Sequence, residues 1–384
     1  MLKNLKYISW WKWTGILLVF FSLILGLGTP LSPGIIRINP SSFISGDTLN
    51  FQIESVNAHF KSHPDGIQCV LGYESEFLIH SQKIIPKAEN KLEVEFIIPE
   101  NFTPINGEVK LLNIELASDY DGLIVFRQGL SLKPKTIISK SHLGTFIARD
   151  ISIQNVSSGS SIKSLSRAGA VLTNSVETLK IHGLTPKWFS FPYREILYES
   201  IRNLFFHVAM WPVMLVLFLV SVVFSILYLR TGKSKFDYLA VESVQVGLLF
   251  ATIGIITGSL WAKYTWGDWW PNDPKLNGTA IAILLYFAYI ILRNSLPEEQ
   301  QRAKISAVYN VFAFPLMFVV IMILPRITDS LHPGNGGNPG FNTYDLDSHL
   351  RLALYPAFLG WILIGFWITE IRYRIRLVEE VMEE

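Results

Sequence analysis

A single cysteine, Cys69, occurs in 384 residues, which excludes an internal disulfide framework, a thiolate-rich metal site and a Cys-x-x-Cys redox pair. Charge is scarce too: 17% of residues are Asp, Glu, Lys or Arg, against about 25% in soluble proteins. The 33 basic and 31 acidic residues nearly cancel, leaving no basic footprint of the kind that binds nucleic acid. A P-loop, a G-x-G-x-x-G turn, a G-x-S-x-G elbow and internal repeats are all missing, so ATP hydrolysis and α/β-hydrolase chemistry have no support. Apolar residues, by contrast, make up half the chain, and they include 25 Phe and 11 Trp. Aromatics concentrate at membrane boundaries and on flat apolar ligands, so a membrane protein is the first expectation.

The apolar residues fall in six runs: Trp13–Gly28, Val208–Leu229, Leu239–Trp261, about Leu276–Leu292, Ile305–Leu324 and Leu352–Thr369. Most approach the roughly 20 residues that cross a hydrocarbon core as a helix, the form that satisfies its own backbone in lipid. Six transmembrane helices are therefore expected. The first run, behind Lys3, Lys6 and Lys12, also fits a cleavable signal peptide, but Gly26–Pro30 offers no clean small-x-small cleavage site, which favours a retained anchor. Arg230, Lys233, Lys235, Arg293, Arg302, Lys304, Arg372, Arg374 and Arg376 join those lysines on one side of the alternating spans. By the positive-inside rule both termini face the cytoplasm, and 29–207, 262–276 and 325–351 face outward.

The large outer segment reads as β structure. Leu49–Ile53, Leu92–Phe96 and Val109–Leu111 alternate apolar with polar, and Gly46-Asp47, Pro64-Asp65-Gly66 and Asn106-Gly107 mark turns. A small β-sandwich over about 35–133 is expected. Residues 157–175 are Ser-rich and read as a loop, whereas Lys187–Phe206 looks like an amphipathic interfacial helix with Ile196, Leu197, Ile201, Leu204 and Phe205 on one face. The resulting division is an anchor over 1–29, a β-rich insertion over 30–190, a helical membrane domain over 191–376 and a tail over 377–384.

The densest unusual segment runs from Trp261 to Gly278 and holds four tryptophans in ten residues. An aromatic belt at the membrane boundary accounts for one or two of them. Gly267, Pro271, Pro274 and Gly278 impose a bent path, and Asp268, Asp273 and Lys275 set charges beside indole faces, which also suits a large flat ligand with charged edges. Composition leaves belt and ligand platform both open. His207 at the outer mouth of the second span and His332 between the fifth and sixth spans lie on the same side as the tryptophans. Two neutral imidazoles on opposite faces of an iron porphyrin would complete its coordination, so this grouping points to haem.

Gly258-Ser-Leu-Trp-Ala-Lys263 followed by Trp266-Gly-x-Trp-Trp-x-x-Asp-Pro-Lys275 resembles the tryptophan-rich WWD signature of the haem-handling proteins of cytochrome c assembly. Leu204-Phe-Phe-His207-Val-Ala-Met-Trp-Pro resembles the histidine-bearing entry to the second span in the CcmC branch, and Ser330-Leu-His332 resembles its second histidine. The likeness covers the first span and about 195–376. Asn272 stands where the motif usually has another aromatic, Lys275 replaces a common arginine, and residues 30–190 are an insertion that compact members lack.

The resemblance implies a subunit of cytochrome c-type biogenesis in the bacterial cytoplasmic membrane that holds b-type haem at the periplasmic face. It makes His207 and His332 the axial iron ligands and Trp266, Trp269, Trp270 and Asp273 the platform. It further implies transfer to a periplasmic haem chaperone, CcmE, beside CcmD and the ABC-type pair CcmA and CcmB, which would supply the ATP hydrolysis this chain lacks. Haem propionates need cations, for which Lys263, Lys275 and Arg326 are the candidates, with ordinary flanking charge as the plainer role of each. A CcsA-like synthase that joins haem directly to apocytochrome is the neighbouring alternative, disfavoured because no histidine lies inside the spans as delimited above. An anchor or sensor whose β domain binds a partner is the alternative from another class. Glu242, Gln245 and Asn310 read as interface solvation or helix pairing, His349 as an interfacial residue, and His59, His63, His80, His142 and His182 as lacking metal-ligand spacing.

Overall fold

The computed structural model describes residues 9–44, 46, 48–73, 77–98, 109–133, 172–174, 186–332 and 346–383. Lys3, Lys6, Asp47, the Asn106-Gly107 turn, His142, His182 and the Ser-rich stretch before Leu172 lie outside them. The chain forms two compact units, Pro30–Glu195 and the remainder, Met1–Thr29 with Ile196–Glu384.

In the first unit, strands β1 (Gly34–Asn39), β2 (Ser42–Ile44), β3 (Thr48–Val56), β4 (Gln68–Tyr73), β5 (Phe77–His80), β6 (Lys83–Ala88), β7 (Lys91–Ile97), β8 (Lys110–Ser118), β9 (Gly122–Lys133) and β10 (Leu172–Asn174) form two sheets. One has the order β1-β3-β7-β6 and the other β10-β5-β4-β8-β9-β2. The alternation read from the sequence sets the register: Leu49, Phe51 and Ile53 of β3 stand opposite Phe96, Val94 and Leu92 of β7. Those inward residues share a core with Leu71, Ile79, Leu112, Ile114, Leu116 and Ile124 of the second sheet. Cys69 is buried there, and desolvation pushes its thiol pKa up, which keeps it inert. The Ser-rich loop expected over 157–175 needs a correction, because Leu172–Asn174 pair with Phe77–Ile79.

The second unit is helical: α1 (Trp10–Gly28), α2 (Ala209–Thr231), α3 (Ser234–Trp266), α4 (Pro274–Asn294), α5 (Glu299–Phe318), α6 (Leu324–Ile327) and α7 (Ser348–Glu383). Among the described residues six stretches are long and apolar enough to span a membrane, so the chain is a polytopic α-helical membrane protein with a β-rich insertion. Every span outruns its apolar run, since helices continue past the hydrocarbon layer until a breaker such as Gly232 or Gly267, both at positive φ, ends them. The interfacial helix expected over Lys187–Phe206 is also corrected. Pro186 and Pro192 prevent a helix before Tyr198, and Phe191 bridges to Leu31 instead. A 3₁₀ turn, Tyr198–Asn203, and a π turn, Leu204–Val208, then lead straight into α2.

Small residues set the packing. On α1 the buried positions Gly15, Val19, Ser22 and Gly26 recur every three or four residues; a Cβ on Gly15 would lie 3.0 Å from the Leu363 Cβ, and Ser22 Oγ donates to the Ala353 carbonyl at 2.8 Å. On α3, Gly247, Gly254 and Gly258 receive Phe218, Trp211 and His207, respectively. Asn310 of α5 donates to Ser221 and Ser225 of α2 at 2.7 and 2.9 Å.

Polar pairs close one end of the bundle. Lys12 meets Glu370 at 2.7 Å, Glu242 accepts from Arg372 and Arg376 at 2.7 Å each, and Arg293 grips Asp237 in a bidentate pair of 2.7 and 2.5 Å. Glu242 and Asn310 thus serve helix pairing. Because the spans alternate, the starts of α2 and α4 and the end of α3 lie at the opposite end, with His332 beyond α6.

Candidate functional site

The opposite end gathers the two histidines. His207 sits in the π turn Leu204–Val208, and such turns recur at functional sites because the added residue re-aims a side chain. Its Nδ1 donates to the Gly254 carbonyl at 2.9 Å, which assigns the Nδ1–H tautomer and puts the lone pair on Nε2. The Trp211 indole donates to that Nε2 at 3.3 Å. Trp261 stands edge-on to the imidazole, with ring centroids 5.8 Å apart, and is fixed by donating from Nε1 to Ser200 Oγ. Gly258 makes room for the ring, since a Cβ there would lie 2.4 Å from the His207 Cε1.

His332 is held by Asp273. This buried aspartate caps α4, with Oδ1 accepting from the Lys275 and Leu276 amides at 2.9 and 3.2 Å, and Pro274 follows at the first helical position. Its Oδ2 accepts from Ser330 Oγ at 2.8 Å and from the Leu331 amide at 2.7 Å, and its Oδ1 accepts from His332 Nδ1 at 3.0 Å. Burial by itself would raise the Asp273 pKa, but the hydrogen bonds from His332, Ser330 and Leu331 outweigh it and hold the carboxyl well below the usual carboxylate range. The His332 side chain is 21% exposed and that of Asp273 fully buried, so the imidazole is anchored from behind with Nε2 as its lone-pair nitrogen.

The tryptophans divide into two groups. Trp266 is the last residue of α3 and meets the His332 ring edge-on at 4.9 Å. The stretch from Trp261 to Gly278 is mostly helix, with only Gly267–Asp273 between α3 and α4. Trp269 and Trp270 stand in that loop, 56% and 40% exposed. The Trp269 carbonyl is tied to Ser259 Oγ at 2.8 Å, and the Trp270 indole donates to Asn277 at 3.2 Å, which in turn donates to Asn272 at 2.9 Å. Asn272, the departure from the aromatic pattern, thus braces the Trp270 ring through Asn277.

Lys275 is partly buried and within electrostatic range of Asp273, Arg326 and His207, and His332 is within the same range of His207. Lys263 instead turns back to the Gly267 carbonyl at 2.6 Å. His349 is the second residue of α7. Sequence reading gave no role to Trp211 or Ser330; the i to i+4 spacing of Trp211 from His207 was the available signal for the first. Gly278 was noted only for its bend, but a Cβ there would lie 2.2 Å from the Val320 carbonyl in the π turn Val319–Ile323, so it is the glycine that lets α4 approach α5. Among the described residues no three His, Cys, Asp or Glu side chains assemble into a chelating set.

A multi-pass membrane protein with oriented histidines beside a tryptophan loop is the class these observations define. Residues 190–332 match the family model described as Cytochrome C assembly protein, and the relatives similar to this region are of the CcmC and CcsA types. Among relatives, heme exporter protein C of Haemophilus influenzae is 26% identical over 145 residues, covering 36% of this chain and 56% of the relative. Cytochrome c biogenesis protein CcsA of a Synechococcus species is 34% identical over 92 residues, and that of a Prochlorococcus marinus strain is 33% identical over 94. Each of these two alignments covers 24% of this chain and 30% of the relative. The chain thus spans about half the length of the first relative and under a third of the others.

Proposed function

We propose that this protein is a haem-binding membrane subunit of cytochrome c maturation, which holds b-type haem at the periplasmic end of the bundle and delivers it to a periplasmic haem chaperone of the CcmE type. His207 and His332 are the axial iron ligands. The observation that carries the reading is the shared tautomer: each imidazole commits Nδ1 to a fixed acceptor, Gly254 or Asp273, which leaves Nε2 as the metal-binding nitrogen, at His207 in exchange for the 3.3 Å bond from Trp211. Two imidazoles are too few to chelate a bare ion, but they suffice for an iron that brings four porphyrin nitrogens. Trp266, Trp269 and Trp270 supply the apolar wall, and Lys275 with Arg326 supplies charge for the propionates, whereas Lys263 is held on the Gly267 carbonyl.

The protein's own contribution is positioning. Asp273 fixes the height and tilt of His332, and Gly258 with the Gly254 carbonyl fixes those of His207, so the porphyrin edge is presented in one orientation. CcmD-like and CcmA/CcmB-like partners complete the system in this reading. The test is the visible spectrum of detergent-purified protein. Wild type shows histidine-ligated haem, and His207→Ala and His332→Ala each change its Soret band and occupancy; identical spectra across the three reject the assignment. A reporter fused after residue 270 reads out the periplasmic orientation.

A CcsA-like synthase is the second reading, favoured by the higher identity to the CcsA relatives over the shorter shared stretch. It uses the same residues but passes haem directly to apocytochrome. Reconstitution with a haem chaperone alone or an apocytochrome alone separates the two by which acceptor becomes covalently labelled.

A further inference from the structure

The β-rich unit carries a second carboxylate-held histidine. Asp121 lies in the turn between β8 and β9, its side chain fully buried, while the His59 side chain is 40% exposed. The carboxylate accepts from the His59 backbone amide at 2.9 Å through Oδ2 and from His59 Nδ1 at 3.0 Å through Oδ1. Nδ1 is therefore the protonated nitrogen, and Nε2 carries the lone pair. Around the imidazole stand aromatic rings. Trp188 meets it edge-on at 4.8 Å and Tyr120 at 5.2 Å, and Tyr120 stacks on His63 at 3.6 Å with the planes 2° from parallel. The Lys187 amide donates to the Tyr120 carbonyl at 3.1 Å, which fixes the Trp188 segment against the turn.

This arrangement repeats the one at His332 almost number for number. In both, a fully buried aspartate accepts from Nδ1 at 3.0 Å, and a tryptophan stands edge-on at 4.8 or 4.9 Å. A histidine that only locked a turn would not need the carboxylate on its ring nitrogen, since Asp121 already holds the His59 backbone amide. With no chelating set among the described residues, the only iron or zinc-like centre that one or two imidazoles can hold firmly is one that brings its own equatorial ligands.

We infer that His59 is a second haem-iron ligand, on the β-rich unit, taking the cargo through Nε2 with Trp188, Tyr120 and His63 as its aromatic surround. The inference rests on the reading of haem as this protein's cargo, and it gives the insertion a task in transfer. No bond other than iron–nitrogen coordination forms or breaks, so no co-reactant is required.

The test is hemin titration of the full chain in detergent, in a His207→Ala/His332→Ala background that removes the other ligands. One equivalent is expected to bind with a histidine-ligated spectrum, and adding His59→Asn is expected to weaken that binding by about tenfold or more. Asparagine keeps an N–H for Asp121 but has no basic nitrogen, so unchanged thermal melting separates ligation from folding. Hemin isotherms that coincide with and without His59→Asn overturn the inference. So does His59-dependent binding of zinc alone, without hemin. If His207→Ala and His332→Ala leave the wild-type spectrum intact while His59→Asn removes it, the bundle site fails and this one stands; if wild type takes up no hemin, both fail.

Discussion

The Trp211 indole nitrogen donates to Nε2 of His207 at 3.3 Å, the nitrogen that an iron would need. A bond at that length is at the weak end of the normal range, so the indole works as a displaceable guard. Trp211→Phe keeps the ring and removes the donor. Since one such bond is worth about 0.5–1.5 kcal/mol net, hemin affinity at the bundle site should rise roughly two- to tenfold. Titration in a His59→Asn background reads this directly, and an unchanged or lower affinity would show that Nε2 is not the ligating atom.

Asp273→Asn should weaken His332-dependent haem binding by about 10–100-fold, the usual effect of losing a carboxylate behind a metal-bound imidazole. Without haem, pH reports the same contact. The Asp273 carboxyl has a lowered pKa in the folded protein, so the docking it supplies is complete above the ordinary carboxylate value of about 4 and is lost as pH falls through its own lower value. Hydrogen exchange at the Leu331 amide, with intrinsic rates corrected for pH, should show constant protection from pH 7 to 5 and a decline only in stronger acid. Protection lost already between pH 7 and 5 would contradict the carboxylate's role in this contact.

Gly258→Ala and Gly278→Ala should fail differently. The first drives a methyl into the His207 ring, which can swing away, so bound haem should lose its His207 signature while the fold persists. The second drives a methyl into the Val320 carbonyl, which is backbone and cannot, so the cost falls on stability, about 1–3 kcal/mol. Spectra and thermal melts recorded together distinguish the two. Equal melts for both variants would contradict the packing assigned to Gly278.

The span count was legible because lipid demands about 20 apolar residues per crossing, and the strands of the insertion were legible because one sheet face is buried. Helix ends were not, since residues beyond the lipid follow caps and breakers in place of hydropathy. Prolines 186 and 192 overruled an amphipathic pattern, and Leu172–Asn174 pair where a Ser-rich composition suggested loop. His207, Trp266 and Asp273 stood out by residue type and place. The hydrogen bonds that set the tautomers, and the pairing of His59 with Asp121 across 62 positions, depend on the folded chain and leave no local pattern.

Arg293→Met should cost about 3–5 kcal/mol, because it strands the buried Asp237 carboxylate. The double variant Asp237→Leu/Arg293→Met should recover most of that stability, as measured by thermal melting in detergent. A double variant as unstable as the single one would mean that the pair contributes more than charge neutralisation.

Among the described residues Asp273 receives five donors: two amides of α4, the Ser330 hydroxyl, the Leu331 amide and the His332 ring. One carboxylate therefore works as a crank between the head of a spanning helix and the loop that carries an imidazole. Any movement of α4 is therefore transmitted to His332, and under the proposed function this couples the grip on haem to the engagement of an acceptor.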